Sequence, residues 1–493
     1  MLMSQVPSRG LYQALLFLAF TIPAHIHALP TSPRSTDWAG PAGDDESNGG
    51  APLRGSLSLQ GQIPNEVDSA NSAVVSPYEM APGQDANADL GIPFTWENTD
   101  EPQPIRGSYG ATDPGPQTYA YSKLNPNIVA PPGTDKGSIA NPKWPMELSH
   151  NRILPDGAGW ARQENTEVLP LASEMAGVDM RLAPGAYREL HWHSASEWAY
   201  VLNGSVRVQA LNEDGQTFVD DLQAGDVWFF PPGIPHSLQA LDQGSEFLLV
   251  FDQGDFDDSG TGLITEMFLR TPKEVLSKNL NAPLSDFDDL PSDELYIFNG
   301  TPAPEMSAQN VSGPGGVAQG NQSYTYHLSK QPAYEVPGGS IKIIDPLNFP
   351  LASMFSVALV TIKPGAMREL HWHSTSDEWG FFIAGEGRVT AYEPPSTGNT
   401  FDFQAGDVSY VPATYSHYIE NTGTEDIVFL EVLLAPQFTD ISVGQWLKLT
   451  PEQIVKDTLH LPQSLLDGLS PNKQYIVQGD KNLTALAGGS GTA

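Results

Sequence analysis

The chain contains no cysteine. This absence excludes disulfide bonds, thiolate metal sites and cysteine nucleophiles. With 493 residues, the chain is still long enough for two or three domains with a large buried core. Its stability must therefore come from core packing, from a bound metal or from assembly.

Basic residues are also scarce, since 24 Lys and Arg stand against 59 Asp and Glu and the formal net charge is −35 at pH 7. This excess of negative charge argues against nucleic acid and against an anionic membrane surface as partners. It is typical of a soluble protein that works in an acidic medium, where many carboxylates are protonated. A solvated acidic surface explains most of these charges equally well.

Long apolar segments are missing, so no segment after the N-terminus is predicted to cross a membrane. A short apolar run at 14–24, ALLFLAFTIPA, follows Arg9 and precedes Ala28. This pattern predicts a signal peptide at 1–28 and a secreted, extracellular protein. Secretion would make the Asn-x-Ser/Thr sequons candidate glycosylation sites. The sequons are at Asn203, Asn299, Asn310, Asn321 and Asn482.

Glycine and proline are abundant, with 46 and 43 residues, which favours an all-β fold of short strands and many turns. The sequence also contains an internal repeat, because MRLAPGAYRELHWHSASEWAYVLNGSVRV at 180–208 aligns with VTIKPGAMRELHWHSTSDEWGFFIAGEGRV at 360–389. Each copy ends in a short helical pattern, with Thr271 and Thr450 as the expected N-caps. The sequence therefore predicts two copies of one antiparallel β domain, each followed by short helices.

The predicted domain boundaries follow changes in composition. They are a disordered leader at 29–95, an ordered N-terminal extension at 96–150, a first domain at 151–298, a linker at 299–325, a second domain at 326–485 and a disordered tail at 486–493.

The repeated stretch carries a candidate metal site in each copy. Because alternate residues of a strand face the same side, the two histidines of each HWH triplet project together. A glutamate follows each pair, and a later strand supplies a third histidine. The predicted ligands are His191, His193, Glu197 and His236 in the first copy, and His371, His373, Glu378 and His417 in the second.

Three imidazoles and one carboxylate, without sulfur, suit manganese or iron, and also zinc or copper. A lone histidine on a strand is more often a hydrogen-bonded core residue, but six of the eleven histidines fall in these two matched sets. Glu378 lies one residue further from its histidine pair than Glu197 does, so the second copy must absorb an extra residue in a bulge or turn.

These motifs resemble the cupin signature, Gly-x5-His-x-His-x3,4-Glu-x6-Gly followed by Gly-x5-Pro-x-Gly-x2-His. The second copy departs from it by having Thr414 in place of glycine. More narrowly, RELHWH, GDVWFFPPGIPHSLQAL, EFLLVFDQGDF and AGDVSYVP are similar to the bicupin oxalate decarboxylases, and the similarity covers about 103–477. The resemblance implies an all-β bicupin of two jelly-roll β-barrels, or double-stranded β-helices.

The resemblance also implies a function. It implies two Mn²⁺ ions per chain and conversion of oxalate to formate and CO2, with dioxygen required as a co-substrate but not consumed overall. It further implies a homo-oligomer, either a trimer or a hexamer. The segment around 103–150 is expected to pack against the second barrel.

Arg188 and Arg368 precede the histidine pairs by three residues, and the family's matching arginine lines the substrate pocket. Strand alternation alone would point each arginine away from the metal, so this assignment requires a turn before the strand. In the second copy, Glu431 is a candidate catalytic acid at a position where we expect the first copy to have Val250. Trp228 is a candidate for core packing or electron transfer.

In this family a mobile lid over the first site carries a glutamate that acts as the proton donor. The matching segment here is FDDSGTG at 256–262, and Asp258 occupies the matching position with a side chain one methylene shorter. An oxalate oxidase that releases CO2 and hydrogen peroxide is therefore the first alternative, and a non-catalytic metal-binding bicupin is the second. The lid favours the first site as the catalytic one, although the sequence leaves this choice open.

Overall fold

The computed structural model describes residues 125, 131–309 and 312–479. The predicted signal peptide, leader and tail lie outside these residues, as do most of the N-terminal extension and two of the sequons, Asn310 and Asn482. None of the helices within the described ranges has the length and hydropathy of a membrane-spanning segment.

The first half of the chain forms antiparallel strands and two helices. The strands are β1 (Lys143–Pro145), β2 (Asn151–Ile153), β3 (Gly159–Glu164), β4 (Ala176–Leu182), β5 (Ala186–Trp192), β6 (Glu197–Leu211), β7 (Thr217–Gln223), β8 (Val227–Phe230), β9 (His236–Phe251), β10 (Gly262–Leu263) and β11 (Ile297–Asn299). The helices, between β10 and β11, are α1 (Ile264–Leu269) and α2 (Lys273–Leu280).

The second half repeats this arrangement. The strands are β12 (Thr325–Tyr326), β13 (Tyr334–Val336), β14 (Gly339–Ile344), β15 (Phe355–Ile362), β16 (Ala366–Trp372), β17 (Glu378–Ala384), β18 (Glu386–Glu393), β19 (Thr397–Gln404), β20 (Asp407–Val411), β21 (Ser416–Asn421), β22 (Ile427–Leu434), β23 (Ile441–Ser442) and β24 (Ile476–Gln478). The helices, between β23 and β24, are α3 (Val443–Leu449), α4 (Glu452–Leu459) and α5 (Gln463–Gly468).

The strand order confirms the predicted all-β bicupin fold. In the first copy the strands run β12-β8-β6-β9-β4-β3-β2, with β5 and β7 pairing off the long central strands β9 and β6. In the second copy two sheets form, β1-β20-β17-β22-β15-β14-β13 and β19-β18-β21-β16-β23. Strands from the two ends of each copy thus interleave in antiparallel layers around an apolar core, as in a jelly roll.

In each copy, one strand of the sheet comes from outside the repeated stretch of sequence. Strand β1 belongs to the N-terminal extension and pairs with β20 of the second copy, as the resemblance implied. Strand β12 begins at the last residue of the predicted linker and pairs with β8 of the first copy. Between the copies lies a shared apolar cluster that contains Trp198 and Phe229 from the first copy and Phe355 and Trp379 from the second. The two barrels therefore pack against each other through this shared apolar cluster.

The predicted threonine caps of the helices are wrong. Pro272 and Pro451 occupy the N-cap positions of α2 and α4, and no side chain caps either helix. The hydroxyls of Thr271 and Thr450 instead donate to carbonyl oxygens four residues earlier, at 2.7 and 2.8 Å, on the preceding helix. Threonine readily makes this backward hydrogen bond, which competes with capping.

A buried carboxylate lies in the contact between the copies. Glu164 Oε2 accepts a hydrogen bond of 2.9 Å from Trp379 Nε1, while Glu164 Oε1 is buried without a hydrogen-bond partner. Burial raises the pKa of Glu164 to about 7, against the lowering effect of the Trp379 and Gly177 hydrogen bonds. The folded chain therefore holds a proton on Glu164 more tightly than the unfolded chain does.

This linkage predicts that Glu164 makes the protein more stable in acid. Its contribution is fully present below about pH 4.5 and is lost as the pH rises to about 7, by roughly 3 kcal/mol in total. In Glu164→Gln, whose neutral amide oxygen still accepts from Trp379, we expect the free energy of unfolding to fall less over this pH range. Denaturant titrations of both proteins from pH 4 to 8 measure the difference. Parallel pH profiles would contradict this account.

Candidate active site

The structure brings both predicted ligand sets together. In each set, one donor atom from every residue lies within 4.8 Å of the others, and all eight side chains are buried. In the first copy Glu197 Oε2 is 3.1 Å from His193 Nε2 and 3.7 Å from His236 Nε2. In the second copy Glu378 Oε2 is 2.9 Å from His373 Nε2 and 3.0 Å from His417 Nε2.

Backbone carbonyl groups orient the imidazole rings. In the first copy the Nδ1 atoms of His191, His193 and His236 lie 2.6, 2.7 and 2.8 Å from carbonyl oxygens. Nδ1 of each ring therefore carries the proton, and Nε2 is free to bind a metal. The second copy repeats this arrangement. Its Nδ1 contacts are His371 to Glu369 O, His373 to Thr439 O and His417 to Tyr415 O.

The donor sets fit a divalent metal ion. The Nε2 atoms of His236 and His371 are buried without a hydrogen-bond partner. Burial lowers the pKa of His191 and His371 well below the usual value, so both rings are neutral. Burial would raise the pKa of Glu197, but the neighbouring imidazoles of His193 and His236 hold it well below its usual range. In the second copy burial lowers the pKa of His373, but the carboxylates of Glu378 and Glu431 raise it to about 9, so a metal ion that binds there must displace a proton. Imidazoles that offer Nε2, together with an ionised carboxylate, are the ligands that such a metal needs.

A β-bulge in each copy places the arginine on the metal side of the strand. On β5, Arg188 pairs with Leu238 and His191 pairs with His236. A separation of three residues on β5 therefore faces a separation of two residues on β9. The same irregularity separates Arg368 from His371 on β16. The expected turn before the strand is therefore wrong, because a bulge within the strand reverses the alternation.

The extra residue before Glu378 is absorbed outside the strands, since it falls in the loop 373–377 between β16 and β17. Asp377 in that loop accepts hydrogen bonds from the Tyr410 hydroxyl and the Ala413 amide, at 2.6 and 2.8 Å. The longer loop is thus held in place, and Glu378 begins β17 just as Glu197 begins β6.

Arg188 contacts the predicted lid acid. Its Nη2 lies 3.2 Å from Asp258 Oδ1, and its Nη1 donates to the Tyr296 carbonyl at 3.4 Å. The Tyr296 hydroxyl donates to Asp258 Oδ2, and its ring centre lies 4.1 Å from the Arg188 guanidinium carbon. Burial raises the pKa of Tyr296, which keeps this hydroxyl protonated. The sequence prediction missed Tyr296, which lies outside both motifs and adopts a left-handed φ of 54°.

The second arginine contacts two acids. Arg368 Nη2 lies 3.0 Å from Glu431 Oε1 and 2.5 Å from Asp440 Oδ2. Asp440 was also missed by the sequence prediction. Glu431 Oε1 is 3.2 Å from His373 Nε2, so this carboxylate reaches into the ligand set. Burial opposes ionisation, but Arg368 holds the pKa of Glu431 well below its usual range.

The strand registers correct the expected counterpart of Glu431. Glu431 pairs with Gly380 on β17, two residues after the ligand Glu378. The same register position on β6, two residues after Glu197, pairs with Leu249 and not with Val250. The first copy therefore has an apolar side chain where the second copy has a carboxylate, and the alignment around Val250 was wrong by one residue.

The two copies also differ in the segment over the site. Phe256 and Phe438 pack against the second histidine of each pair, with ring centres 5.9 and 6.1 Å from His193 and His373. Residues 257–261 separate Phe256 from β10, whereas only 439–440 separate Phe438 from β23. Asp258 therefore lies on a loop that the second copy lacks, while Asp440 lies directly before a strand.

Trp228 contacts the first ligand set directly. Its Nε1 donates to Glu197 Oε1 at 2.7 Å, while the other carboxylate oxygen faces the histidines. The matching register position on β20 is Ser409. Of the two roles that the sequence left open for Trp228, core packing and electron transfer, its complete burial fits the first. The indole also orients a ligand.

This contact predicts a metal-binding effect. In Trp228→Phe we expect the first site to bind Mn²⁺ about 10- to 100-fold more weakly, because Glu197 loses the hydrogen bond that orients it. Titration of the metal-free protein, with bound Mn²⁺ counted by EPR, measures the change. Ser409→Ala is the matched control and should leave both affinities unchanged. Equal affinity in wild type and Trp228→Phe would contradict the prediction.

Comparisons with known proteins give a consistent result. The cupin family matches residues 148–284 and 326–463. The chain is 42% identical over 382 residues to an oxalate decarboxylase of Bacillus subtilis, covering 78% of this chain and 98% of the relative. A probable oxalate decarboxylase of Arthroderma benhamiae is 42% identical over 381 residues, covering 76% and 93%.

Solved structures agree with this similarity. The structure of the Bacillus subtilis oxalate decarboxylase at pH 4.6 superposes with a TM-score of 0.74 at 42% identity, covering 78% of this chain and all of that one. A further matching structure, with a TM-score of 0.74, 42% identity and 77% of this chain covered, comes from work on the Mn(II) centres of the Bacillus subtilis protein.

Proposed function

This chain belongs to the bicupin oxalate decarboxylase family, and we propose that it converts oxalate to formate and CO2. The observation that carries the proposal is the contact of Arg188 with the lid residue Asp258, beside a buried set of three histidines and one glutamate. The reaction balances as oxalate dianion plus one proton giving formate anion plus CO2. The protein must therefore bind a small dianion and deliver one proton to carbon.

Manganese is the metal that we propose for both sets, with two ions per chain. The nitrogen and oxygen donors suit Mn²⁺, and the Bacillus subtilis relative has Mn(II) centres. A metal ion held by these residues would supply, together with dioxygen as co-substrate, the one-electron oxidation that weakens the carbon–carbon bond of oxalate.

Arg188 is the proposed substrate-binding residue. A guanidinium donates two parallel hydrogen bonds to a carboxylate, and burial strengthens them. In this structure Asp258 accepts from Arg188 Nη2, which is one of the nitrogens that would bind oxalate. The lid must therefore release Arg188 before oxalate binds. The Tyr296 carbonyl holds another nitrogen and keeps the guanidinium in place during this exchange.

Asp258 is the proposed proton donor. After CO2 leaves, the remaining carbon must receive a proton, and a positioned carboxylic acid can deliver it. A closed lid also excludes water from the site. If the proton is not delivered, the second carbon is oxidised too, giving the oxalate oxidase products. The contact of 3.2 Å with Arg188 favours decarboxylation, because the shorter Asp258 side chain still reaches the site.

We assign catalysis to the first copy. Leu249 holds the register position that Glu431 holds in the second copy, so an apolar side chain takes the place of that carboxylate, and the acid of the first copy lies on a loop that is able to move. In the second copy Glu431 reaches the ligand set, and Glu431 and Asp440 both neutralise Arg368. We propose that this second site has a mainly structural role.

Metal replacement tests the activity. We would remove the metal with a chelator, reload the protein with Mn²⁺ or Zn²⁺, and follow formate by NMR in air and under nitrogen. The proposal expects formate only with Mn²⁺ in air. Formate from the Zn²⁺ protein, or undiminished formate without oxygen, would contradict the proposed chemistry. Absence of turnover under every condition would leave a non-catalytic metal-binding bicupin as the better account.

We also propose that the protein is secreted and forms a homotrimer or hexamer. Apolar side chains are exposed on the helices that follow each barrel, which supports assembly. Examples are Val275 and Leu280 on α2, and Trp446 and Leu449 on α3. Light scattering on the mature protein is expected to give three or six times the chain mass, and a monomer at micromolar concentration would contradict this assembly.

A further inference from the structure

A groove with a volume of about 230 Å³ lies on the first barrel, away from the ligand set. Trp160, Arg181, Asn203, Gln243 and Glu246 contribute to its lining. The ligand Glu197 begins β6, and Asn203 lies six residues further along this strand, a distance of about 20 Å. The groove is therefore separate from the proposed catalytic site.

Asn203 belongs to the sequon Asn203-Gly204-Ser205 and is exposed. Gly204 has a φ of 72°, and a Cβ atom added there would lie 2.0 Å from the Gly244 carbonyl oxygen. The backbone therefore requires glycine in the middle of the sequon. The second copy keeps this glycine as Gly385 but has alanine and glutamate on either side of it. The fold thus forms without the asparagine and serine of the sequon.

The other described sequons have different surroundings. Asn299 Nδ2 donates to the Asp156 carbonyl at 3.1 Å, so the nitrogen that a glycan would modify is already engaged. Asn321 lies in a short 3-10 turn, 320–322, and does not line this groove. Asn203 Oδ1 accepts a hydrogen bond from the local Gly204 amide at 2.8 Å, and within the described residues no hydrogen bond engages Asn203 Nδ2. Among these sequons, Asn203 combines exposure with an adjoining concave surface.

We propose that Asn203 carries an N-linked glycan whose first N-acetylglucosamine lies in this groove. An aromatic ring beside amide, guanidinium and carboxylate groups suits a sugar, which has apolar faces and a rim of hydroxyls. In the modification, Asn203 Nδ2 bonds to the anomeric carbon of a lipid-linked oligosaccharide. The bond from that carbon to the pyrophosphate oxygen breaks, and the amide loses one proton. The inference rests on the proposed secretion but not on the proposed activity.

The test uses the full chain, secreted from a eukaryotic host with the host's leader in place of residues 1–28. Mass spectrometry of tryptic glycopeptides is expected to find most of Asn203 modified, and none of it modified in Ser205→Ala. An unmodified Asn203 in the secreted protein would overturn the proposal, whether or not other sequons carry glycans. Formate production by the same samples is assayed separately, so failure of the activity leaves this result interpretable.

A thermal double-mutant cycle tests whether the first sugar of the glycan lies in the groove. Wild type is expected to melt about 3 °C above Ser205→Ala, because the seated sugar adds contacts on the folded chain. In a Trp160→Ala background, the same Ser205→Ala change should leave the melting temperature nearly constant. Comparison within each background removes any loss that Trp160→Ala itself causes. An equal change of melting temperature in both backgrounds would overturn the proposed contact between the sugar and Trp160.

Discussion

Arg188→Lys is expected to lower kcat/KM for oxalate by about 10²- to 10³-fold, whereas Arg368→Lys should change it by only a few-fold. Lysine keeps the charge but loses the planar pair of donors that binds a carboxylate. In the first copy Asp258 on the lid is the acid that oxalate must displace from this arginine. In the second copy the arginine already pairs with Glu431 and Asp440. Steady-state kinetics with formate detection measure both variants.

Metal content serves as the control for this comparison. Neither arginine belongs to a ligand set, so both variants should retain two Mn²⁺ ions per chain by elemental analysis. A variant that loses metal is compared again after reloading. Equal losses of activity in the two variants would mean that both copies turn over oxalate. A larger loss in Arg368→Lys would move catalysis to the second copy.

Asp258→Ala is expected to change the product of the reaction. Without the lid acid, formate formation should fall by about 10²- to 10⁴-fold, because general acid catalysis typically contributes this much. Oxalate that is still consumed should yield CO2 and hydrogen peroxide. Formate by NMR and peroxide by a coupled assay, measured on one sample, give the ratio of the two products.

Asp258→Glu is the matched control, since it restores the extra methylene and keeps the carboxylate. We expect it to retain formate as the main product. Tyr296→Phe adds a second check, because it removes the hydroxyl that positions Asp258 but leaves the acid. It should lower the ratio of formate to peroxide less than Asp258→Ala does. Unchanged formate production in Asp258→Ala would contradict the role of Asp258 as the proton donor.

The sequence predicted the metal ligands well because their chemistry leaves a local pattern. Two histidines at strand spacing followed by a glutamate form a recognisable motif, and its repetition separates ligands such as His191 and His371 from ordinary core histidines. The third histidine, His236 or His417, follows from the matched second motif of each copy. The fold is predictable for the same reason, since each copy confirms the strands and turns of the other.

The remaining parts of the site depend on contacts between distant residues. The bulge that turns Arg188 toward the ligands has no distinctive residue in RELHWH, and only the pairing with β9 reveals it. Tyr296 reaches Arg188 from a segment more than a hundred residues away in sequence. Register decides that Leu249, and not Val250, corresponds to Glu431. Such features follow from tertiary packing, which local sequence patterns do not encode.

The most direct test of the central claim is the product balance of the unmodified chain. Mature protein loaded with Mn²⁺ would be mixed with 13C-oxalate in air at mildly acidic pH, and oxalate, formate, CO2 and peroxide would be measured together. We expect one formate and one CO2 for each oxalate consumed, with little peroxide. Two CO2 and one peroxide for each oxalate, without formate, would contradict the decarboxylase assignment and identify the protein as an oxalate oxidase.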